Sequence, residues 1–97
     1  VRVIRLAQAH NVEVVPHCPY FGPGFLASVH VSAALCDRPL VEVLWLEMEA
    51  NPFDPWVRVQ DGQVAVPKGP GLGCDPNPAI MQKYLRAAPT RIEGKPA

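Results

Sequence analysis

The fold is decided by two stretches of sequence, AHNVEVVPH at residues 9–17 and VEVLWLE at residues 41–47. Both are rich in valine, and apolar residues recur in them at every second position, which is typical of β-strands. The pattern predicts one strand over residues 12–15 and another over residues 41–48. Between them the chain has room for a loop and a helix.

That connecting segment is rich in alanine and predicts a helix over residues 25–36. A helix between two strands indicates an α/β fold with a parallel crossover. His17 and Glu47 then lie toward the C-terminal ends of neighbouring strands. In barrels and open α/β sheets, this is the face on which catalytic residues collect.

Two further helices are predicted near the ends of the chain. Apolar residues at helical spacing indicate a helix over residues 1–10, ended by Asn11, since asparagine tolerates the left-handed conformation. Asn77 and Pro78 are typical of a helix start, and we expect that helix to run to about Ala87. We expect residues 90–97 to be a frayed end.

Prolines and glycines become frequent after Asn51. The pair Asp61-Gly62 stands between two short apolar runs, residues 56–60 and 63–67, which favours a β-hairpin. The sequence GPGLG at residues 69–73 predicts an irregular loop. It lacks the full pattern of a phosphate-binding loop, so we interpret it as a change of chain direction.

Composition excludes several classes of protein. Lys plus Arg and Asp plus Glu both number 9, so no excess of positive charge suggests a nucleic-acid partner. No apolar run approaches the roughly 20 residues of a membrane-spanning helix. The 3 cysteines form no CxxC pair, which favours reduced thiols and a cytoplasmic location over disulfides or zinc.

Acidic and histidine side chains supply the candidate site. A histidine at His17 can exchange a proton near neutral pH. Glu47 and Glu49 share one face of the predicted second strand, where apolar neighbours would raise the pKa of a carboxyl group. Glu42 is predicted to face the opposite side in a structural role. His30, in the middle of a helix, is interpreted as a packed or partly exposed helix residue.

Taken together, these segments resemble a known family more specifically than any of them does alone. The order is AHNVEVVPH, then FGPG at residues 21–24 with an alanine-rich helix, then VEVLWLE, and finally GPGLG. It is similar to the C-terminal segment of the mandelate racemase and muconate-lactonising enzyme family of the enolase superfamily. The resemblance implies that residues 1–50 are the end of a modified TIM (β/α) barrel, with strands seven and eight and the helix between them. Residues 51–97 would be a C-terminal strap, with a β-hairpin and a short helix, that packs on a capping domain.

The resemblance also implies a chemistry. Such enzymes use Mg²⁺ to hold a small carboxylate substrate such as an acid sugar, and a base removes the proton beside the carboxylate to give an enolate. The resemblance matches His17 to the base on strand seven. It matches Glu47, or Glu49 as a fallback, to the glutamate that hydrogen-bonds the substrate carboxylate. The Mg²⁺ ligands and the aspartate that orients the histidine are expected on strands outside this chain.

We therefore expect the C-terminal segment of a Mg²⁺-dependent dehydratase or racemase, with the rest of the barrel and the capping domain as partners and a homo-oligomer at full length. We expect the chain alone to be inactive. Two alternatives stay open: a truncated, non-catalytic remnant that acts as a structural or interaction module, and a stand-alone small-molecule binder. Acidic residues at barrel spacing upstream of Val1 would separate the first alternative from the enzyme.

Overall fold

A computed structural model describes residues 1–86. It contains three helices: α1 (Arg2–Ala9), α2 (Pro23–Leu35) and α3 (Pro78–Lys83). None of the helices in this range is long and apolar enough to cross a membrane. The frayed end expected over residues 90–97 lies outside the described residues.

Helix α1 ends where the sequence predicts. Asn11 adopts the left-handed conformation with φ of 55°. Its N–H donates to the carbonyl of Gln8 at 3.0 Å, and the N–H of Val12 donates to the carbonyl of Ala7 at 2.9 Å. This pair of bonds satisfies carbonyl groups that the helix end would otherwise leave free.

Helix α2 begins two residues earlier than the predicted range of 25–36. Pro23 occupies its first turn, where a missing N–H costs nothing and the fixed φ favours helix. The face that turns inward carries Phe25, Leu26, Val29 and Ser32, all buried. This spacing of three and four residues sets the orientation of the helix on the rest of the chain.

Helix α3 confirms the predicted start at Asn77. The side chain of Asn77 accepts hydrogen bonds from the N–H of Ala79 at 2.9 Å and of Ile80 at 3.3 Å. The helix ends at Lys83, before the expected end at about Ala87, which lies outside the described residues.

The predicted strands are not formed. Residues 12–15 and 41–48 have no regular secondary structure, and no main-chain hydrogen bond joins them in the described part of the chain. A strand exists only through a ladder of bonds to a partner strand, so alternation in one segment is not sufficient. The α/β barrel arrangement of residues 1–50 stays a prediction.

The Asp61-Gly62 turn is present, although the hairpin around it is minimal. Both residues have positive φ, 52° and 74°, as a two-residue hairpin turn of type I′ requires. Gln60 and Gln63 exchange main-chain hydrogen bonds of 2.8 and 2.9 Å. Since this single bridge is the full extent of pairing there, strands over residues 56–60 and 63–67 stay a prediction.

The core is small and lies under α2. Cys18, Phe25 and Val29 form its buried cluster, and three partly buried valines pack against them: Val41, Val57 and Val64. The radius of gyration is 17.1 Å, against about 12 Å for a compact domain of this length. Many large apolar side chains are consequently exposed, and Trp45 is wholly so.

Candidate functional site

The irregular segment after residue 15 directs two neighbouring side chains differently, one into the core and one to solvent. Cys18 is 1% exposed and belongs to the core cluster, whereas the side chain of His17 is 79% exposed. Because Cys18 packs against Phe25 and Val29, the chain is anchored to the core at this residue. His17 is thereby presented outward, and the two side chains do not form a thiol–imidazole pair.

Glu42 is the partner of His17. Its Oε2 lies 2.8 Å from Nδ1 of His17 and accepts a hydrogen bond of 2.7 Å from the main-chain N–H of Cys18. The Cys18 N–H, and then His17, lower the pKa of the Glu42 carboxyl below its ordinary value of 4.5, against an opposing effect of burial. Glu42 is therefore a carboxylate at neutral pH, held beside an imidazole.

The sequence did not predict the contact between Glu42 and His17, because the prediction relied on pleat alternation. In a regular strand, Glu42 and Glu47 lie on opposite faces, which assigned Glu42 away from the site. No strand forms here, so the alternation does not determine where Glu42 points. A usable signal was the carboxylate standing between Val41 and Val43, because a charged group in an apolar run needs a hydrogen-bonding partner.

Glu47 lies apart from this contact, on the rim of an open groove of about 520 Å³. Its lining includes the aromatic Tyr20 and the polar Asn51 and Arg58. Arg58 donates to Asp54 at 2.7 Å. This bond first, and Glu47 more weakly, raise the pKa of Arg58, so Glu47 lies within electrostatic reach of the guanidinium.

Glu49 forms an ion pair with Lys83, the last residue of helix α3. Its Oε1 lies 2.7 Å from Nζ of Lys83, and the pKa of Glu49 is lowered by Lys83 and then by Tyr84. The expectation of a raised pKa is wrong for Glu49, because the side chain is exposed and paired with a cation instead of surrounded by apolar groups.

The glycine-rich loop at residues 69–73 forms hydrogen bonds within itself and one hydrogen bond with α2. Gly69 N–H donates to the carbonyl of Gly73 at 3.2 Å, and Gly73 N–H donates to the carbonyl of Pro70 at 3.0 Å. Two amides that an anion would require are therefore already occupied. His30 bonds the carbonyl of Leu72 at 2.9 Å, which gives this histidine the packed helix role that the sequence predicts.

The described residues do not fit a Mg²⁺ ion. Within residues 1–86, no group of three or more His, Cys, Asp or Glu side chains gathers closely enough to hold a metal. Mg²⁺ prefers several oxygen ligands in octahedral array. Glu42, Asp54 and Glu49 instead each pair with a different part of the chain.

Comparison with known proteins places the chain in a family. A family model described as enolase C-terminal domain-like matches residues 1–80. The chain is 32% identical over 95 residues to a D-gluconate dehydratase of Thermoproteus tenax, covering 95% of this chain and 19% of that protein. It is also 32% identical over 100 residues to a D-galactonate dehydratase of Verminephrobacter eiseniae (strain EF01-2), covering 92% of this chain and 25% of that protein. No solved structure matches it significantly. This chain, which spans a fifth to a quarter of the length of these relatives, belongs to the enolase C-terminal domain-like family of the enolase superfamily.

Proposed function

We propose that the chain is the C-terminal part of the catalytic domain of an acid-sugar dehydratase, and that His17 is its proton-transferring residue. The observation that carries this proposal is the exposed imidazole of His17 held at 2.8 Å from the carboxylate of Glu42. The family match over residues 1–80 supports the enolate chemistry, and the two dehydratases among the relatives favour dehydration over racemisation.

In this proposal His17 takes the proton from the carbon beside the substrate carboxylate. The electron pair of that C–H bond stays on the substrate as an enolate, and the imidazole becomes an imidazolium. A cation formed beside Glu42 is stabilised by the negative charge 2.8 Å away. Histidine is the side chain that most often acts as a general base in enzymes.

Glu47 is proposed to hydrogen-bond the substrate carboxylate, with Glu49 as the second candidate. The two carboxylates differ in whether they are free to bind a substrate. Glu47 stands exposed on the rim of the groove, whereas Glu49 would first have to leave Lys83. Glu47 is therefore the better candidate of the two.

Mg²⁺ belongs to this proposal only through the resemblance. Within residues 1–86 no cluster of ligands for it forms. We propose that its ligands lie on the parts of the barrel outside this chain, where Mg²⁺ would hold the substrate carboxylate and stabilise the enolate.

The proposal requires further polypeptide. The matched relatives are four to five times longer than the matched segment, and we propose the remaining barrel strands and a capping domain as partners. The exposed apolar side chains of this chain, including Leu6, Trp45 and Leu46, supply surface for such partners. Assembly into a homo-oligomer stays a prediction.

The test is the substitution His17→Asn in the complete enzyme that carries this sequence, with His10→Asn as control. His10 is an exposed histidine at the end of α1. Dehydration of D-gluconate and D-galactonate is measured together with solvent-deuterium exchange at the α-carbon. We expect His17→Asn to lower kcat by roughly 10²–10⁴-fold with little change in KM, and His10→Asn to leave both unchanged. Near-wild-type turnover by His17→Asn would refute the proposal.

A further inference from the structure

We infer that Asn51 is a positioning residue, which joins the loop after His17 to the segment after Glu47 and so fixes the spacing of these two side chains. The joining of the two segments concerns the chain itself. The positioning of His17 and Glu47 rests on the proposed function and deepens it, because a base and a carboxylate-binding group that act on one substrate must stand at a fixed separation.

Both polar atoms of the Asn51 side chain form hydrogen bonds. The residue is only 6% exposed; its Nδ2 donates to the main-chain carbonyl of Phe21, and its Oδ1 accepts from the main-chain N–H of Phe53 at 2.9 Å. A carbonyl can only accept and an amide N–H can only donate, so these partners fix which end of the side chain carries the oxygen. Because a buried polar group without a partner is destabilising, the side chain requires both bonds.

A second contact joins the same two segments. Gly22, the next residue of the loop, packs against the ring of Phe53, and a Cβ on Gly22 would lie 3.4 Å from Cε2 of that ring. The main-chain carbonyl of Pro52 accepts a hydrogen bond of 2.7 Å from the N–H of Asn77, the residue before helix α3. The segment that begins at Asn51 is therefore held both by the loop and by the start of helix α3.

These contacts are close in sequence to both proposed site residues. Phe21 follows His17 by 4 positions, and Asn51 follows Glu47 by 4 positions. Phe21, Glu47 and Asn51 also line the same open groove. The bond between Phe21 and Asn51 therefore limits how far His17 and Glu47 can move apart.

Asn77 uses its side chain differently and supplies a matched control. Its oxygen accepts both of the bonds that cap helix α3. An aspartate in that place can accept the same two bonds, whereas in place of Asn51 an ionised aspartate cannot donate to the carbonyl of Phe21. The same substitution therefore removes a hydrogen bond at Asn51 and retains both at Asn77.

The first experiment needs no substitution. The 97-residue chain is labelled with ¹⁵N, and the exchange of side-chain amide protons with solvent is measured by NMR. We expect the Nδ2 protons of Asn51 to exchange roughly tenfold more slowly, or slower still, than those of the exposed Asn11 and Asn77. Equal exchange overturns the inference, whether the contact is absent or the chain is not folded.

Substitution then tests the donated bond through its pH dependence. In Asn51→Asp the ionised carboxylate would face the carbonyl of Phe21, so folding raises the pKa of the new carboxyl group above its value in the unfolded chain. The loss of stability relative to wild type is therefore largest at neutral pH and shrinks as the pH falls, because a protonated carboxyl group can donate again.

The urea midpoint of unfolding, compared with wild type at each pH, measures this loss. We expect Asn51→Asp to lower the midpoint at neutral pH and to approach wild type at acidic pH, while Asn77→Asp is no less stable than wild type at neutral pH. A loss in Asn51→Asp that does not change with pH overturns the inference, as does an equal loss in Asn77→Asp.

In the complete enzyme we expect Asn51→Ala to lower kcat by roughly tenfold or more with KM nearly unchanged, because His17 and Glu47 can each still reach the substrate but are no longer held at one separation. Turnover is expressed per folded protein, measured by circular dichroism. The kcat of Asn51→Asp relative to wild type should rise as the pH falls, whereas the same ratio for Asn51→Ala should stay constant. A ratio for Asn51→Asp that is constant with pH overturns the positioning role.

This pattern separates the inference from the proposed function. If His17→Asn abolishes turnover while Asn51→Ala leaves it unchanged, the positioning role fails and the function stands. If His17→Asn leaves turnover intact, the proposed function fails and the positioning role fails with it. The exchange and unfolding measurements then still decide whether Asn51 joins the two segments.

Discussion

Nε2 of His30 lies 2.9 Å from the main-chain carbonyl oxygen of Leu72, which joins the middle of helix α2 to the glycine-rich loop 42 residues later in the chain. The loop is otherwise closed on itself by short-range bonds, among them Gly73 N–H to Pro70. The histidine thus fixes where the loop lies.

We expect His30→Leu to destabilise the chain by about 1 kcal/mol, because the Leu72 carbonyl loses a partly buried donor. Ser28→Ala is the control, since the Ser28 hydroxyl bonds the carbonyl of Gly24 within the same helix and is more easily replaced by water. Urea unfolding followed by circular dichroism gives the difference. Equal effects of the two substitutions would show that the His30 bond does not hold the loop.

Two glycines of the loop differ in the space around them. Both have positive φ, 63° at Gly71 and 86° at Gly73. A Cβ on Gly71 would meet nothing within 4 Å, whereas on Gly73 it would lie 2.6 Å from the main-chain carbon of Pro67. Both alanine variants carry the strain of the left-handed conformation, and Gly73→Ala adds a clash with a backbone that cannot rotate away.

We therefore expect Gly71→Ala to cost about 1 kcal/mol of unfolding free energy, and Gly73→Ala to cost roughly 3 kcal/mol or more. Thermal unfolding of the two variants under the same conditions checks the order. If Gly71→Ala lowered the unfolding free energy more than Gly73→Ala, Gly73 would not pack against Pro67 in solution.

Glu47 and Glu49 can be separated by substitution in the complete enzyme. If Glu47 binds the substrate carboxylate, Glu47→Gln should raise KM or lower kcat at least tenfold, while Glu49→Gln should do much less, because Glu49 is paired with Lys83. Steady-state kinetics with the same acid sugars measures both. A larger effect at Glu49 would move the substrate-binding role to that residue.

The contacts of Glu42 should depend on pH in a defined direction. Because Cys18 N–H and then His17 lower the pKa of Glu42 in the folded chain, folding favours the ionised form. The stabilisation by these contacts is complete above the ordinary value of 4.5, and it is lost as the pH falls through the lower, folded pKa.

An NMR titration of the Glu42 side-chain carboxyl carbon, together with the amide of Cys18, tests this direction. Both signals should change with one midpoint below 4.5. A midpoint at or above that value would mean that the hydrogen bond from Cys18 does not persist in solution.

Features that depend on neighbours in the chain were predicted well from the sequence. Asn11 ends α1, Asn77 begins α3, and Asp61-Gly62 forms the turn, because each relies on a side chain or a backbone conformation available within a few residues. Helix α2 begins two residues before the predicted range, because proline is favoured in the first turn of a helix and Pro23 occupies that turn.

Features that depend on distant residues were not predicted from the sequence. Alternation in residues 12–15 and 41–48 indicates which side chains would share a face, but pairing requires partner strands that a single segment does not specify. The contact between His17 and Glu42 joins residues 25 positions apart, so no local pattern contains it. The histidine itself was identified from its place at the end of a predicted strand, and its role in catalysis stays a proposal.

The exposed indole of Trp45 provides an intrinsic fluorescence probe of binding to this chain. One of its 2 tryptophans, Trp45, stands wholly in water, while Trp56 is partly covered. An indole in water emits at longer wavelength than one against apolar groups. Titrating the chain with any polypeptide that covers Trp45 should therefore shift its fluorescence to shorter wavelength, and Trp45→Phe should abolish that shift and leave the signal of Trp56 as the baseline.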